Sequence, residues 1–124
     1  MSVYNSLSKE KVKLPMNINW YTCGPTVYDN SHLGHARTYI LIDLMRRTLI
    51  RFGYAVTLGM NITDVDDKII NKAKEEKTTV KEISKKYTDL FFRDMIDLNV
   101  SLPDQVMNVT DYIKTTKGRQ LGVN

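Results

Sequence analysis

The feature that most constrains this chain is a change of periodicity across residues 18–62. INWYTC (18–23) is dense in β-branched and aromatic residues and stops at Gly24-Pro25, the pattern of a buried strand running into a loop. From Gly34 to about Phe52 the residues Ala36, Tyr39, Ile40, Leu44, Met45 and Leu49 recur at three- and four-residue spacing. Arg37, Asp43, Arg46, Arg47 and Arg51 fall mostly between them. That spacing predicts a long helix with the apolar set on its inner face. Gly53 ends it, and YAVTLGMNI (54–62) reads as a second strand. A strand, loop, helix and strand in so short a span form a βαβ unit, with parallel strands and a right-handed crossover. The expected fold class is therefore α/β. Two parallel strands alone make an incomplete sheet, because such sheets are normally covered on both faces and carry more strands.

The flanking segments are more polar. Residues 1–17 form a lead-in with a β-prone piece at Val3-Tyr4, and Pro15 blocks helix there. After the second strand, Thr63 or Asp64 is expected to cap a helix through about Glu76, with Asp66 and Asp67 against the positive end of its dipole. Thr79-Val-Lys-Glu82 is a capping-box pattern that opens another helix, with Val80, Ile83, Tyr87, Leu90, Phe91 and Met95 on one face. The mixed Lys and Glu of residues 72–86 read as a solvated helical surface. Leu102-Pro103-Asp104 is a turn, and residues 106–117 are expected to form a third short helix. With 124 residues, 42% hydrophobic and 26% charged, the chain has the composition of one small globular domain.

The loop at residues 24–35 is where chemistry is expected. In a parallel α/β sheet, ligands sit beyond the carboxyl ends of the strands, where loops and helix N-termini converge. A helix N-terminus offers unpaired N–H groups and partial positive charge, an anion site. His32 and His35 stand three residues apart there, so their rings can face one bound group. Gly34 between them lets a flat ligand approach the backbone. This suits a nucleotide, although the same histidines also read as surface or capping residues. Cys23, taken alone, reads as a small apolar residue at a strand end. A net charge of +4 favours phosphate-bearing partners but lacks the dense basic stripe of a dedicated nucleic-acid binder. A single cysteine excludes an internal disulfide and fits a reducing compartment. No apolar run approaches membrane-spanning length and the N-terminus has no signal-peptide core, so the cytoplasm is the expected location.

Three motifs in order, GPTVYD (24–29), HLGH (32–35) and NITDVDDKII (61–70), resemble those of the cysteinyl-tRNA synthetases, which are class I aminoacyl-tRNA synthetases. HLGH resembles the class I "HIGH" signature, and the likeness extends over about residues 3–113. The resemblance implies a Rossmann-like catalytic domain, of which residues 1–114 would be the N-terminal part. It implies ATP-dependent activation of cysteine to cysteinyl-adenylate and transfer to tRNA-Cys. His32 and His35 would be catalytic and, with Gly34, bind ATP. Gly24, Thr26 and Thr63 would line the cysteine pocket, Thr63 also serving as a helix cap. Cys23 would be one ligand of a Zn²⁺ that holds the substrate thiol and so distinguishes cysteine from serine. Asp66 and Asp67 are expected to be structural, and Asp29 has no assigned role.

The departures from the family pattern are as definite. A second cysteine and a KMSKS-like loop are missing, since KTTKGRQ (114–120) is not that motif, and so is an anticodon-reading domain. The chain alone is therefore expected to be inactive, a fragment whose remaining zinc ligands lie outside it. Residues 115–124 are expected to be a non-family, disordered tail. Two alternatives stand beside this reading. One is a non-catalytic binding or interaction module. The other is the related ligase that joins cysteine to an amino sugar in mycothiol synthesis. That ligase tends to carry G-I-T-P-Y-D where this chain has GPTVYD, and to lack the lysine found here as Lys68.

Overall fold

The computed structural model describes residues 1–113. Residues 114–124, including the expected tail, lie outside the described residues. Two antiparallel strands come first, β1 (Ser2–Asn5) and β2 (Glu10–Lys13), paired from Ser2 opposite Lys13 to Asn5 opposite Glu10. The polar lead-in is thus a hairpin. Its turn is set by Asn5, whose Oδ1 accepts the N–H groups of Leu7 and Ser8, an arrangement that side-chain amides favour in turns.

The βαβ unit follows as β3 (Asn17–Thr26), α1 (Leu33–Arg51) and β4 (Ala55–Thr63), and β3 and β4 are parallel. β3 runs further than its sequence predicts. It continues through Gly24-Pro25 by a register shift between Cys23 and Thr26, and pairing resumes at Thr26 opposite Thr63. Proline has no N–H to give the ladder, so an irregularity at this point is the physical solution.

Two helices, α2 (Asp67–Glu75) and α3 (Val80–Asp97), lead to a third parallel strand, β5 (Gln105–Asn108), beside β4. Here the structure corrects the third helix expected over 106–117: residues 105–108 are extended and helix begins only at 109. The cause is a tertiary anchor. The Asp104 carboxylate accepts the N–H of Leu58, and the Asp104 N–H donates to the Leu58 carbonyl, which aligns the next four residues with the edge of β4.

The cap of α2 is also corrected. It is Asp66, whose carboxylate accepts the Lys68 N–H at 2.9 Å. Neither Thr63 nor Asp64 serves, because Thr63 still belongs to β4 and its carbonyl accepts the Val27 N–H. The capping box of α3 forms as expected between Thr79 and Glu82.

Strand order β3-β4-β5 advances in one direction. Crossovers of one hand then place all the helices on one face of the sheet. The core shows this, joining Met60 and Ile62 of β4 with Tyr39 of α1, Ile69 and Ala73 of α2, and Ile83, Tyr87 and Phe91 of α3. On the other face stand Asn19, Tyr21 and Cys23 of β3 beside Thr57, Gly59 and Asn61 of β4.

The inner face of α1 differs from the apolar stripe its sequence suggests. Tyr39, Asp43, Arg46 and Leu49 are buried, whereas Ile40, Leu44 and Met45 are exposed. The buried polar pair has work at the α3–β5 connection. Arg46 donates to both carboxylate oxygens of Asp104 at 2.9 Å and to the Leu102 carbonyl at 2.9 Å. Asp43 accepts the Ser101 N–H at 3.1 Å and pairs with Arg47 at 2.7 Å. Such charges tolerate burial because they are paired and hydrogen-bonded.

Candidate functional site

The C-terminal end of β3 delivers the chain to the start of α1, and the first turn of α1 is closed by its two histidines. His32 is the cap. Its Nδ1 accepts the Gly34 N–H at 3.0 Å, while Nδ1 of His35 accepts the His32 N–H at 3.1 Å. This is the reciprocal capping box usually made by Ser or Thr with Glu, here built from two imidazoles.

The consequence is chemical. An Nδ1 that accepts a hydrogen bond carries no proton, so each ring is the neutral tautomer with its N–H at Nε2. Burial, and then the neighbouring His32, hold the His35 pKa below its ordinary range, which favours the same neutral form. The rings stack with centroids 3.9 Å apart. Gly34 is required by this arrangement: a Cβ there would lie 2.8 Å from Cε1 and 3.0 Å from Nδ1 of His32. The two histidines, at the start of α1, thus line one cleft of about 250 Å³ together with Thr26, Tyr28, Asp29, Asn30 and Lys68.

The second part of the site is the irregularity in β3. The peptide group between Cys23 and Gly24 is held at both ends by side chains. Its carbonyl accepts the Tyr39 hydroxyl at 3.1 Å, and its N–H donates to Asn61 Oδ1 at 3.0 Å. Burial, together with the nearby Cys23, pushes the Tyr39 phenol up to about 12, so it stays a donor at neutral pH. Gly24 passes so close to β4 that a Cβ would lie 1.8 Å from the Asn61 carbonyl oxygen. Glycine is therefore compulsory at this position.

Asn61 also accepts the Tyr21 hydroxyl at 2.9 Å, and its Nδ2 reaches Thr63 Oγ1 at 3.4 Å. Cys23 lies opposite Asn61 in the parallel pairing and is exposed. Cys23, Gly24 and Thr63 thus come together around Asn61, whereas Thr26 opens onto the cleft of His32 and His35. The sequence marks Tyr39 as part of the inner face of α1, where it is buried, but not the contact of its hydroxyl with Cys23. It places Asn61 in the NITDVDDKII motif, and nothing in that motif specifies an acceptor for the Gly24 N–H.

Among the described residues, no group of three His, Cys, Asp or Glu side chains could hold a metal ion. Cys23 can therefore supply one ligand position and no closed site.

A family model described as the class I (C) tRNA synthetase catalytic domain matches residues 9–119. The chain belongs to this family. Among curated proteins it is 48% identical over 111 residues to a cysteine–tRNA ligase of Methanococcus vannielii, an alignment covering 90% of this chain and 22% of the relative. A cysteine–tRNA ligase of Encephalitozoon cuniculi is 46% identical, covering 91% of this chain and 25% of the relative. The cytoplasmic cysteine–tRNA ligase of Dictyostelium discoideum is also 46% identical, covering 90% and 18%. The chain thus spans about a quarter or less of the length of these relatives. The fold matches the crystal structure of the ternary complex of Agrobacterium radiobacter K84 agnB2 LeuRS–tRNA–LeuAMS with a TM-score of 0.64 at 22% identity. That match covers 71% of this chain and 12% of the other. No helix among the described residues is long and apolar enough to cross a membrane.

Proposed function

We propose that this chain is the N-terminal part of the catalytic domain of a cysteine–tRNA ligase, carrying half of its adenylate-forming site. The observation that carries the reading is the imidazole capping box at the start of α1, which fixes two Nε2–H donors at a helix N-terminus beside a cleft.

In the activation step the cysteine carboxylate oxygen attacks the α-phosphorus of ATP, the bond to the bridging oxygen breaks, and pyrophosphate leaves. Charge accumulates on phosphate oxygens, so the protein's part is positioning and electrostatic stabilisation. Here His32 and His35 donate through Nε2–H to those oxygens, and because the rings are already held by backbone N–H groups they need no reorganisation. Gly34 leaves the His32 ring its place and the adenine a flat approach. Gly24 and Thr63 line the cysteine pocket, with Thr26 between that pocket and the nucleotide. Cys23 would be one thiolate ligand of a Zn²⁺ that recognises the substrate thiol. The described residues do not complete such a site. Transfer of cysteine to tRNA-Cys belongs to the longer protein, and this chain alone is inactive in activation.

The test is cysteine-dependent ATP–pyrophosphate exchange by the purified 124-residue chain, paired with hydrogen exchange with and without ATP. The expected result is no exchange activity, with ATP-dependent protection that includes residues 24–36. Measurable exchange would overturn the inactivity, and an unchanged protection pattern would overturn the nucleotide assignment.

A further inference from the structure

Two neutral imidazoles donate hydrogen bonds but bring no charge to the cleft, and a nucleoside triphosphate brings several negative charges. A cation in the same cleft would supply what the histidines lack. We propose that Lys68 is that cation, a phosphate ligand of the nucleotide, with Tyr28 as its positioning residue; this rests on the nucleotide reading above.

Lys68 stands in the first turn of α2 and lines the cleft with His32 and His35. Its backbone is fixed by the Asp66 carboxylate, which accepts the Lys68 N–H. Its ammonium forms no ion pair among the described residues, and lies 5.2 Å from the centroid of the Tyr28 ring. Three lysines of this helical layer are paired, Lys72 and Lys86 with Glu76 and Lys85 with Asp89. Lys74 and Lys81 form no ion pair among the described residues either, but of these lysines only Lys68 lines the cleft.

The difference matters for binding. A lysine already bonded to a carboxylate must give up that bond to take an anion, whereas one resting on a neutral ring keeps its charge available. The flexible four-carbon stem lets the ammonium swing from the ring to a phosphate oxygen while α2 stays in place. Asp29 also lines the cleft. Its Oδ1 accepts the Asn30 N–H, and it forms no ion pair with Lys68 among the described residues.

The experiment measures affinities for ATP and for adenosine, at fixed ionic strength, by amide-shift titration of the isotopically labelled full chain and its Lys68→Met, Lys68→Arg and Tyr28→Leu variants. Lys68→Met keeps the stem and removes the charge, and is expected to weaken ATP about tenfold while adenosine changes less than about twofold, since a charge-assisted bond is lost only with phosphate. Lys68→Arg is expected to recover most of the ATP affinity, and Tyr28→Leu to show a loss of about threefold.

If Lys68→Met binds both ligands as the original chain does, Lys68 is idle and the proposal is overturned while the nucleotide reading stands. If it weakens ATP and adenosine alike, the residue is structural and the proposal is again overturned. If the unaltered chain binds neither ligand at millimolar concentration, the nucleotide reading falls and Lys68 falls with it.

Discussion

At the C-terminal end of β3, the cleft of His32 and His35 takes its walls from β3, the loop before α1, the first turn of α1, and α2, whereas Cys23 stands exposed on the face opposite the helices. The histidine pair of the first is held by interactions within four residues, the Cys23–Gly24 peptide of the second by side chains from β4 and α1. A capping box needs only its own helix turn. The close approach of Gly24 needs β4 at the right height, the Asn61 side chain and the Tyr39 hydroxyl from α1. The histidine pair on the proposed nucleotide side is therefore locally encoded, whereas the Cys23–Gly24 peptide on the proposed cysteine side depends on tertiary structure.

The contrast can be broken most forcefully at Gly24. Gly24→Ala places a methyl against the Asn61 carbonyl and is expected to cost about 3 kcal/mol or more in urea unfolding, since backbone at that distance cannot give way. On the other side, His32→Asn with His35→Gln keeps an acceptor for each of the two backbone N–H groups and replaces the two imidazole Nε2–H donors with amide N–H groups of different geometry. Stability is expected to change by less than about 1 kcal/mol, while ATP affinity falls at least tenfold. If folding and nucleotide binding were lost together, the histidines would be caps and nothing more.

Asn61→Ala tests the sheet-dependent side at smaller amplitude. It removes the acceptor of the Gly24 N–H and of the Tyr21 hydroxyl, with an expected loss of about 1–2 kcal/mol in the same assay.

The pH dependence is smaller again. His35 has a folded pKa below its ordinary value, so the unfolded chain binds more protons in the window between them. Stability is then full above about pH 6.5 and falls as pH drops from there through the lowered folded value. Urea midpoints measured from pH 8 to pH 5 should show that slope, and His35→Gln should flatten it. The least effect is expected from Cys23→Ser, under about 0.5 kcal/mol, because the thiol is exposed and packs no core.

How much of this could be read from the sequence follows the same division. The βαβ unit and the Thr79–Glu82 capping box are local patterns, and both stand where the sequence puts them. β5 was illegible because four residues have no period of their own. What makes them a strand is the Asp104 carboxylate meeting the Leu58 N–H, a contact between residues 46 apart. The inner face of α1 was misread for a related reason. Ile40, Leu44 and Met45 look like core by hydropathy, yet the helix turns Asp43 and Arg46 inward because segment 99–104 offers them partners. Around the site, His32, Gly34 and His35 were legible as a group, and the site contacts of Asn61 and Tyr39 were not. Their importance comes from one peptide group in another strand that turns out of the ladder.

The most direct test of the account compares ATP and Zn²⁺ as ligands of the unaltered chain by amide chemical shift. ATP should shift Tyr28, His32–Ala36 and Lys68 in a saturable way, while Zn²⁺ should bind no more tightly than it does to a lone exposed thiol. Saturable high-affinity Zn²⁺ binding at Cys23 without any ATP response would contradict it.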